Sequence, residues 1–351
     1  MRALELSSPA RVAENPLRLV ERGLPAPGPG ELLIRISACA VCRTDLQLAE
    51  GDLPAKRLPI VPGHQAVGRV EAIGPGAGAG SGAGSYGTSN GGVDSNARAW
   101  AVGDRAGAYW LYGTDGTCRF CRSGRENLCE AAEFTGYDRD GGFAEAMIVR
   151  ADTAVRLPDG FDDLAAAPLL CGGVIGYRAL RVSGIQPGGR LGLFGFGASA
   201  LLCIQVARHW GCEVHVRVRS EAERRRALDL GAASTGGYDE PTPPLDAAVT
   251  TAPVGDIVLA ALRAVDRGGI VAINAIHLDR MPEFPYEWLW HERQLRSVAN
   301  VTRTDAAEFL SLAAAIPIRT QVDLFPLSEG SRALQALAAG EVRGAAVLTV
   351  G

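Results

Sequence analysis

Apolar and polar positions alternate with period two over residues 31–38, directly after a Pro- and Gly-rich turn at 25–30, which predicts a half-buried strand. Residues 66–73 and 143–149 predict two more, so the first third of the chain reads as β-rich. From about 162 the pattern changes. Ala-rich helical signals lead into an apolar strand at 190–195, a helix at 201–210 and a strand at 213–218. Strands at 245–250 and 269–273 follow, with a helix at 258–264 between them. Short apolar strands alternating with helices predict a doubly wound parallel sheet covered on both faces. Beyond 300, helices at 305–314 and 328–339 and a strand at 345–350 form a tail that rejoins the first domain. The expected class is therefore α/β, with a β-rich domain over 1–160 and 301–351 and a parallel-sheet domain over 161–300.

Residues 74–99 break this pattern. They are Gly, Ala, Ser and Asn with almost no apolar mass, so a flexible surface loop is expected. It is either an inert insertion or a segment that touches a neighbouring subunit or overhangs the site.

Composition narrows the function classes. At 351 residues, with 47% apolar and 21% charged positions, the chain has material for two cores. A net charge of -4 without a basic stripe argues against nucleic acid. No apolar run approaches the ~20 residues needed to span a bilayer. The N-terminus, Met1-Arg2-Ala3-Leu4-Glu5, lacks a basic stretch followed by an apolar one, so a cytoplasmic protein is expected. Eight cysteines are too few for a disulfide scaffold and should be thiols. Cys39, Cys203 and Cys212 lie in apolar segments and read as small core residues.

The other five cysteines carry chemistry. Cys42, His64 and Cys171 offer two thiolates and an imidazole, a set that leaves zinc one open position, as a catalytic site requires. Asp115, Cys118, Cys121 and Cys129 follow the pattern D-x2-C-x2-C-x7-C and could close a tetrahedron around a structural zinc within the lobe 113–130. An aspartate in place of a thiolate should loosen that site. Trp110, Leu111 and Tyr112, just before the lobe, read equally as pocket lining or as core.

Gly195-Phe196-Gly197-Ala198-Ser199-Ala200 fits G-x-G-x-x-G/A between a strand and an apolar helix, the context a dinucleotide turn requires. Its glycines allow pyrophosphate to approach the N-terminus of the helix. At the end of the second strand an NAD site wants a carboxylate, but Val218 is followed by Arg219 and Ser220, with Arg224 one turn on. A guanidinium beside a hydroxyl suits a 2′-phosphate, which favours NADP over NAD. Other readings stay open: Ser220 and Glu223 as a capping box, Arg224 to Arg226 as a solvated face, and Glu221 as a ribose ligand.

Together these motifs resemble the zinc-containing alcohol dehydrogenases of the medium-chain dehydrogenase/reductase superfamily, and most nearly the bacterial branch that prefers primary alcohols. The resemblance rests on Cys42-Arg43-Thr44-Asp45, Gly63-His64-Gln65-Ala66-Val67-Gly68, the cysteine lobe, Ala167 through Gly173 and the nucleotide turn. It implies a GroES-like catalytic domain, a Rossmann cofactor domain, and an active site in the cleft between them. It also implies two zinc ions per chain, NAD(P), a small alcohol or aldehyde substrate and a homodimer or homotetramer, assembled through the edge around 282–290. On this resemblance Cys42, His64 and Cys171 hold the catalytic zinc, with Asp45 orienting the imidazole and Thr44 passing on the alcohol proton. Gln65 stands where many members have glutamate, and Gln47 where many end the proton relay in histidine. Competing expectations are a cinnamyl- or polyol-type dehydrogenase, an aldehyde reductase, and a non-catalytic nucleotide binder.

Overall fold

A computed structural model describes residues 1–77, 98–275 and 278–351. It divides into two compact units, one of Met1–Cys171 with Asn300–Gly351 and the other of Gly172–Ala299. In chain order the first unit contains β1 (Arg2–Leu6), β2 (Leu17–Glu21), β3 (Glu31–Val41), α1 (Arg43–Glu50) and β4 (Ala66–Ile73). It continues with β5 (Arg105–Ala108), β6 (Leu111–Gly113), α2 (Arg119–Arg122), β7 (Glu133–Phe134), β8 (Ala146–Arg150), β9 (Val155–Arg156) and α3 (Asp163–Ala166). The second unit contains α4 (Gly172–Ser183), β10 (Arg190–Phe194), α5 (Ala198–His209), β11 (Glu213–Arg217) and α6 (Glu221–Asp229). After these come β12 (Ser234–Gly236), β13 (Leu245–Thr250), α7 (Gly255–Ala264), β14 (Val265–Ile273) and β15 (Gln294–Ser297). The chain then returns through α8 (Arg303–Ala315), β16 (Val322–Pro326), α9 (Gly330–Ala339) and β17 (Ala345–Thr349).

β3 is the hub of the first unit. Among the described residues its sheet runs β16-β17-β3-β4-β5-β9, with β8 also paired to β3. β3 outruns its period-two stretch because Cys39, Ala40 and Val41 are buried and stay paired to β4 and β17. Leu32, Ile34, Ile36 and Cys39 join Leu4, Phe143 and Leu348 in one apolar core. The extra residues deliver Cys42 at the first turn of α1. The strand expected at 143–149 starts later, at Ala146, because the Phe143 backbone is already bonded to Leu4 and Pro62.

Residues 161–171, assigned from sequence to the parallel-sheet domain, pack with the first unit instead. Asp163 accepts from Arg105 and Ser37, and the Thr320 hydroxyl donates to the Ala165 carbonyl, so α3 is tied to β5, β3 and the returning tail. Most of the loop expected at 74–99 lies outside the described residues. Its first part is a turn in which Gly74 N–H donates to the Glu31 carbonyl and Ala77 is buried.

In the second unit the described strands pair in parallel in the order β12-β11-β10-β13-β14-β15. In chain order this is 3-2-1-4-5-6, the doubly wound dinucleotide order, whose switch point falls between β10 and β13. α4 and α5 lie so close that a Cβ on Gly176 would sit 2.8 Å from Cys203 Sγ, which makes Cys203 a packing residue. Phe194, Leu245, Val258, Leu262 and Val271 form the core beneath α7. Among the described residues no helix is long and apolar enough to cross a membrane.

Candidate metal centres and nucleotide turn

Cys42, His64 and Cys171 arrive from three parts of the first unit, and their ligand atoms lie within 4.8 Å of one another. Cys42 stands at the N-terminus of α1, and Cys171 ends the 3-10 turn Ala167–Leu170 that follows α3. His64 follows Gly63, whose φ of 95° leaves the Phe143 ring 2.4 Å from where a Cβ would be. Only glycine fits there. Asp45 fastens the pieces together. Its Oδ2 accepts from Cys42 N–H at 2.7 Å, and its Oδ1 accepts from Gly63 N–H at 3.1 Å and pairs with His64 Nδ1 at 3.2 Å. With Nδ1 so engaged, Nε2 is the ring nitrogen left to face the two sulfurs.

Cys42 Sγ and Cys171 Sγ are 3.8 Å apart, and Thr44 Oγ1 lies 3.7 Å from Cys42 Sγ. The Cys171 hydrogen bond, with help from His64, holds the Cys42 thiol well below its ordinary range against burial. The same contact, with burial, pushes Cys171 well above it. Burial opposes a charged His64 ring, yet Asp45 and the Cys42 sulfur outweigh it and lift its pKa to about 10. Two sulfurs competing for one negative charge beside an oriented imidazole are a donor set that a divalent cation relieves, so the residues fit zinc.

The second cluster is local. Asp115, Cys118, Cys121 and Cys129 converge within 4.8 Å, with Cys121 and Cys129 buried and Asp115 exposed. Cys118 caps the short α2, where its sulfur accepts from Cys121 N–H at 3.4 Å. Burial pushes the Cys121 thiol up to about 12, while the Cys121 amide pulls Cys118 down. Asp115 Oδ1 accepts from the amides of Thr117 and Cys118, which hold its carboxyl well below the usual carboxylate range. Its carboxylate completes a four-donor set that fits zinc.

In the nucleotide turn Gly195 has a φ of 96°, and a Cβ there would meet Thr251 Oγ1 at 2.6 Å. Gly197 caps α5, and a Cβ on it would meet nothing within 4 Å, so its backbone is open to an approaching ligand. Ala198 and Ser199 begin α5, whose N–H groups point at that space. At the end of β11, Arg219 is exposed and Ser220 caps α6 by accepting from Glu223 N–H. The expected capping box is half formed, because among the described contacts the Glu223 side chain makes no return bond. Arg224 sits 3.5 Å from Glu240 and 3.9 Å from Glu221.

Comparison with known proteins agrees with this geometry. The family model for the alcohol dehydrogenase GroES-like domain matches residues 28–159. A Mycobacterium tuberculosis protein named "Probable alcohol dehydrogenase AdhA" is 47% identical over 352 residues, covering 100% of this chain and 97% of that protein. An alcohol dehydrogenase of Geobacillus stearothermophilus is 32% identical over 347 residues, covering 96% and 97%. The chain belongs to the zinc-binding alcohol dehydrogenases of the medium-chain superfamily. Among solved structures, a thermostable alcohol dehydrogenase from Pyrobaculum aerophilum superposes with a TM-score of 0.85 at 25% identity, covering 100% of this chain and 99% of that one. As a member of this family the protein is an NAD(P)-dependent oxidoreductase that interconverts alcohols with aldehydes or ketones.

Two glutamines lie close to the Cys42 and His64 positions in the chain. Gln65 is buried, and its amide donates to the Ala40 carbonyl at 3.4 Å. Gln47 is half-buried on α1, one turn beyond Thr44. The three residues read as pocket or core separate cleanly. Leu111 and Tyr112 are core, and the Tyr112 hydroxyl donates to Glu31. Trp110 packs edge to face on His64, with ring centroids 4.9 Å apart, and stacks on Phe134 and Tyr137. The roles of Phe134, Tyr137 and Asn300, which accepts from the Trp110 indole, were not foreseen from sequence. No local spacing signals a contact so remote in the chain.

Proposed function

We propose that the protein oxidises small primary alcohols, and reduces the matching aldehydes, at a centre built on Cys42, His64 and Cys171. The observation that carries this is the three-donor cluster in which Asp45 holds His64 by Nδ1 and Thr44 stands beside Cys42. When bound, zinc supplies a Lewis acid for the substrate oxygen, and the nicotinamide supplies a hydride acceptor. Asp45 holds the imidazole in one tautomer. Thr44, whose hydroxyl lies beside Cys42 Sγ, accepts the hydrogen bond of the alcohol and hands its proton outward. Gln47 cannot take up that proton, so the relay leaves Thr44 by another route. The rate of alcohol oxidation should then lack an inflection near the ~6.5 of free histidine. A clean inflection there would refute this part.

Asp115, Cys118, Cys121 and Cys129 are proposed as a structural zinc site. Gly195, Gly197, Ala198 and Ser199 would cradle the pyrophosphate, and NADP is favoured over NAD. Support for NADP comes from the exposed Arg219, with Ser220 beside it, and from the absence of a carboxylate at the end of β11. Arg224 contributes less, since Glu240 and Glu221 already neutralise it. Arg219→Ala should lower the NADP:NAD preference about tenfold, the worth of one charge-assisted hydrogen bond. The exposed Tyr286 and Trp290 near edge strand β15 support assembly as a homodimer or homotetramer. A cytoplasmic setting suits its free thiols.

The test is kinetics with NAD and with NADP on a ladder of alcohol chain lengths, together with metal analysis. Turnover of short primary alcohols with two zinc equivalents supports the reading. Tight NADPH binding with no turnover on any alcohol or aldehyde would replace it with a nucleotide binder.

A further inference from the structure

We propose that Asn300 is a positioning residue for the substrate wall and acts through Trp110. The inference rests on the reading of Cys42, His64 and Cys171 as the reaction centre. Among the described residues, Trp110 is the aromatic ring in contact with His64. Its plane is set by stacking on Phe134, with centroids 5.1 Å apart and planes 17° apart, and on Tyr137 at 5.9 Å and 28°. Stacking fixes a plane, but it leaves the ring free to slide or turn within that plane. The indole N–H removes this freedom, because it donates to Asn300 Oδ1 at 3.0 Å. An indole has one donor and no acceptor, so this bond decides which edge of Trp110 points where.

The amide of Asn300 is itself oriented. Its Nδ2 donates to the Asn127 carbonyl at 3.5 Å, inside the cysteine lobe. Turning the amide over would set donor against donor at Trp110 and acceptor against acceptor at Asn127. The lobe is tied to the same returning segment a second time, where Arg303 N–H donates to buried Glu126 at 2.7 Å. The Asn300 backbone has a φ of 52°, a left-handed conformation that asparagine tolerates better than any other side chain except glycine's lack of one. One residue thus combines a turn, an acceptor for the wall and a donor to the lobe. Neither aspartate nor glycine supplies all three.

The closing experiment uses the full-length zinc- and cofactor-loaded enzyme. It compares wild type, Asn300→Gly, Asn300→Asp, Trp110→Phe and the double variant Asn300→Gly/Trp110→Phe. Two readouts are taken: the indole N–H resonance of Trp110, assigned by its loss in Trp110→Phe, and kcat and KM for ethanol, butanol and benzyl alcohol. Asn300→Gly keeps the left-handed turn but drops both side-chain bonds. It should move the indole resonance and raise KM for the short alcohols about three- to tenfold, with kcat nearly unchanged. Asn300→Asp keeps the acceptor and should restore most of both. The double variant should be no worse than the worse single one, because the bond between Asn300 and the indole is lost in both single variants. An unmoved indole resonance in Asn300→Gly, or losses that add in the double variant, would overturn the proposal. If Asn300→Gly does not fold, Trp110→Phe alone must still raise KM for the short alcohols, and unchanged constants there overturn it. Wild-type protein without alcohol turnover would instead refute the underlying reading, and this role with it.

Discussion

The two cysteine clusters are made from similar atoms in opposite ways. The lobe takes Asp115, Cys118, Cys121 and Cys129 from one short loop, and the capping geometry of α2 already turns Cys118 toward Cys121. The Cys42 centre draws on residues as far apart as 129 positions and depends on β3, α1 and the 3-10 turn after α3 to assemble it. The local cluster offers four donors with an exposed carboxylate, whereas the remote one offers three, with His64 buried and held by Asp45. A site closed by its own loop stiffens that loop. A site gathered by the fold can leave a position open for substrate, because its geometry is held by the scaffold rather than by a fourth ligand.

Four experiments sharpen or break this contrast. Cys42→Ser should cost on the order of a thousandfold in alcohol turnover, since several kcal/mol of transition-state stabilisation are lost with the metal. Metal analysis should fall from two equivalents to one, and release of both metals would show that the clusters are not independent. Asp45→Asn comes next. It keeps the shape but weakens the hold on His64 and on the Gly63 and Cys42 amides, and kcat should drop about ten- to a hundredfold. An unchanged kcat would mean the centre does not need its clamp. In the lobe, Asp115→Cys replaces a hard oxygen with a soft thiolate and should slow zinc loss to a chelator about tenfold, with kcat unaltered. Faster loss would show that the two amide bonds to Asp115 matter more than ligand softness. Smallest in its effect on catalysis is Cys129→Ser, which should lower the Tm by several degrees while KM stays within about threefold. A large rise in KM would tie the lobe directly to substrate binding.

Legibility from sequence followed the same division. The β4 and β13 strands were readable to the residue, because their alternation or apolar continuity is a property of neighbours along the chain. The strand, glycine turn and helix around Gly195 were readable for the same reason, since Gly195, Gly197 and α5 lie within one short segment. Ends were less legible. β3 extends to Val41 and α8 begins at Arg303, where Thr302 and Asp305 cap each other. The placement of 161–171 was misjudged because Arg105, Ser37 and Thr320, which hold that segment, are distant in the chain.

The sequence by itself determined the kinds of groups available: three thiolates and a carboxylate in one loop, two thiolates and an imidazole elsewhere, and a glycine turn before a helix. Local covalent spacing is enough for these. Tertiary structure alone decided which of Trp110, Leu111 and Tyr112 meets His64, and that Arg224 is engaged by Glu240. It also decided that an amide 190 positions away accepts from the Trp110 indole. The physical reason is range. Backbone preferences and ligand spacing act over a few residues, whereas a side chain's partner depends on where the packed core brings distant segments together.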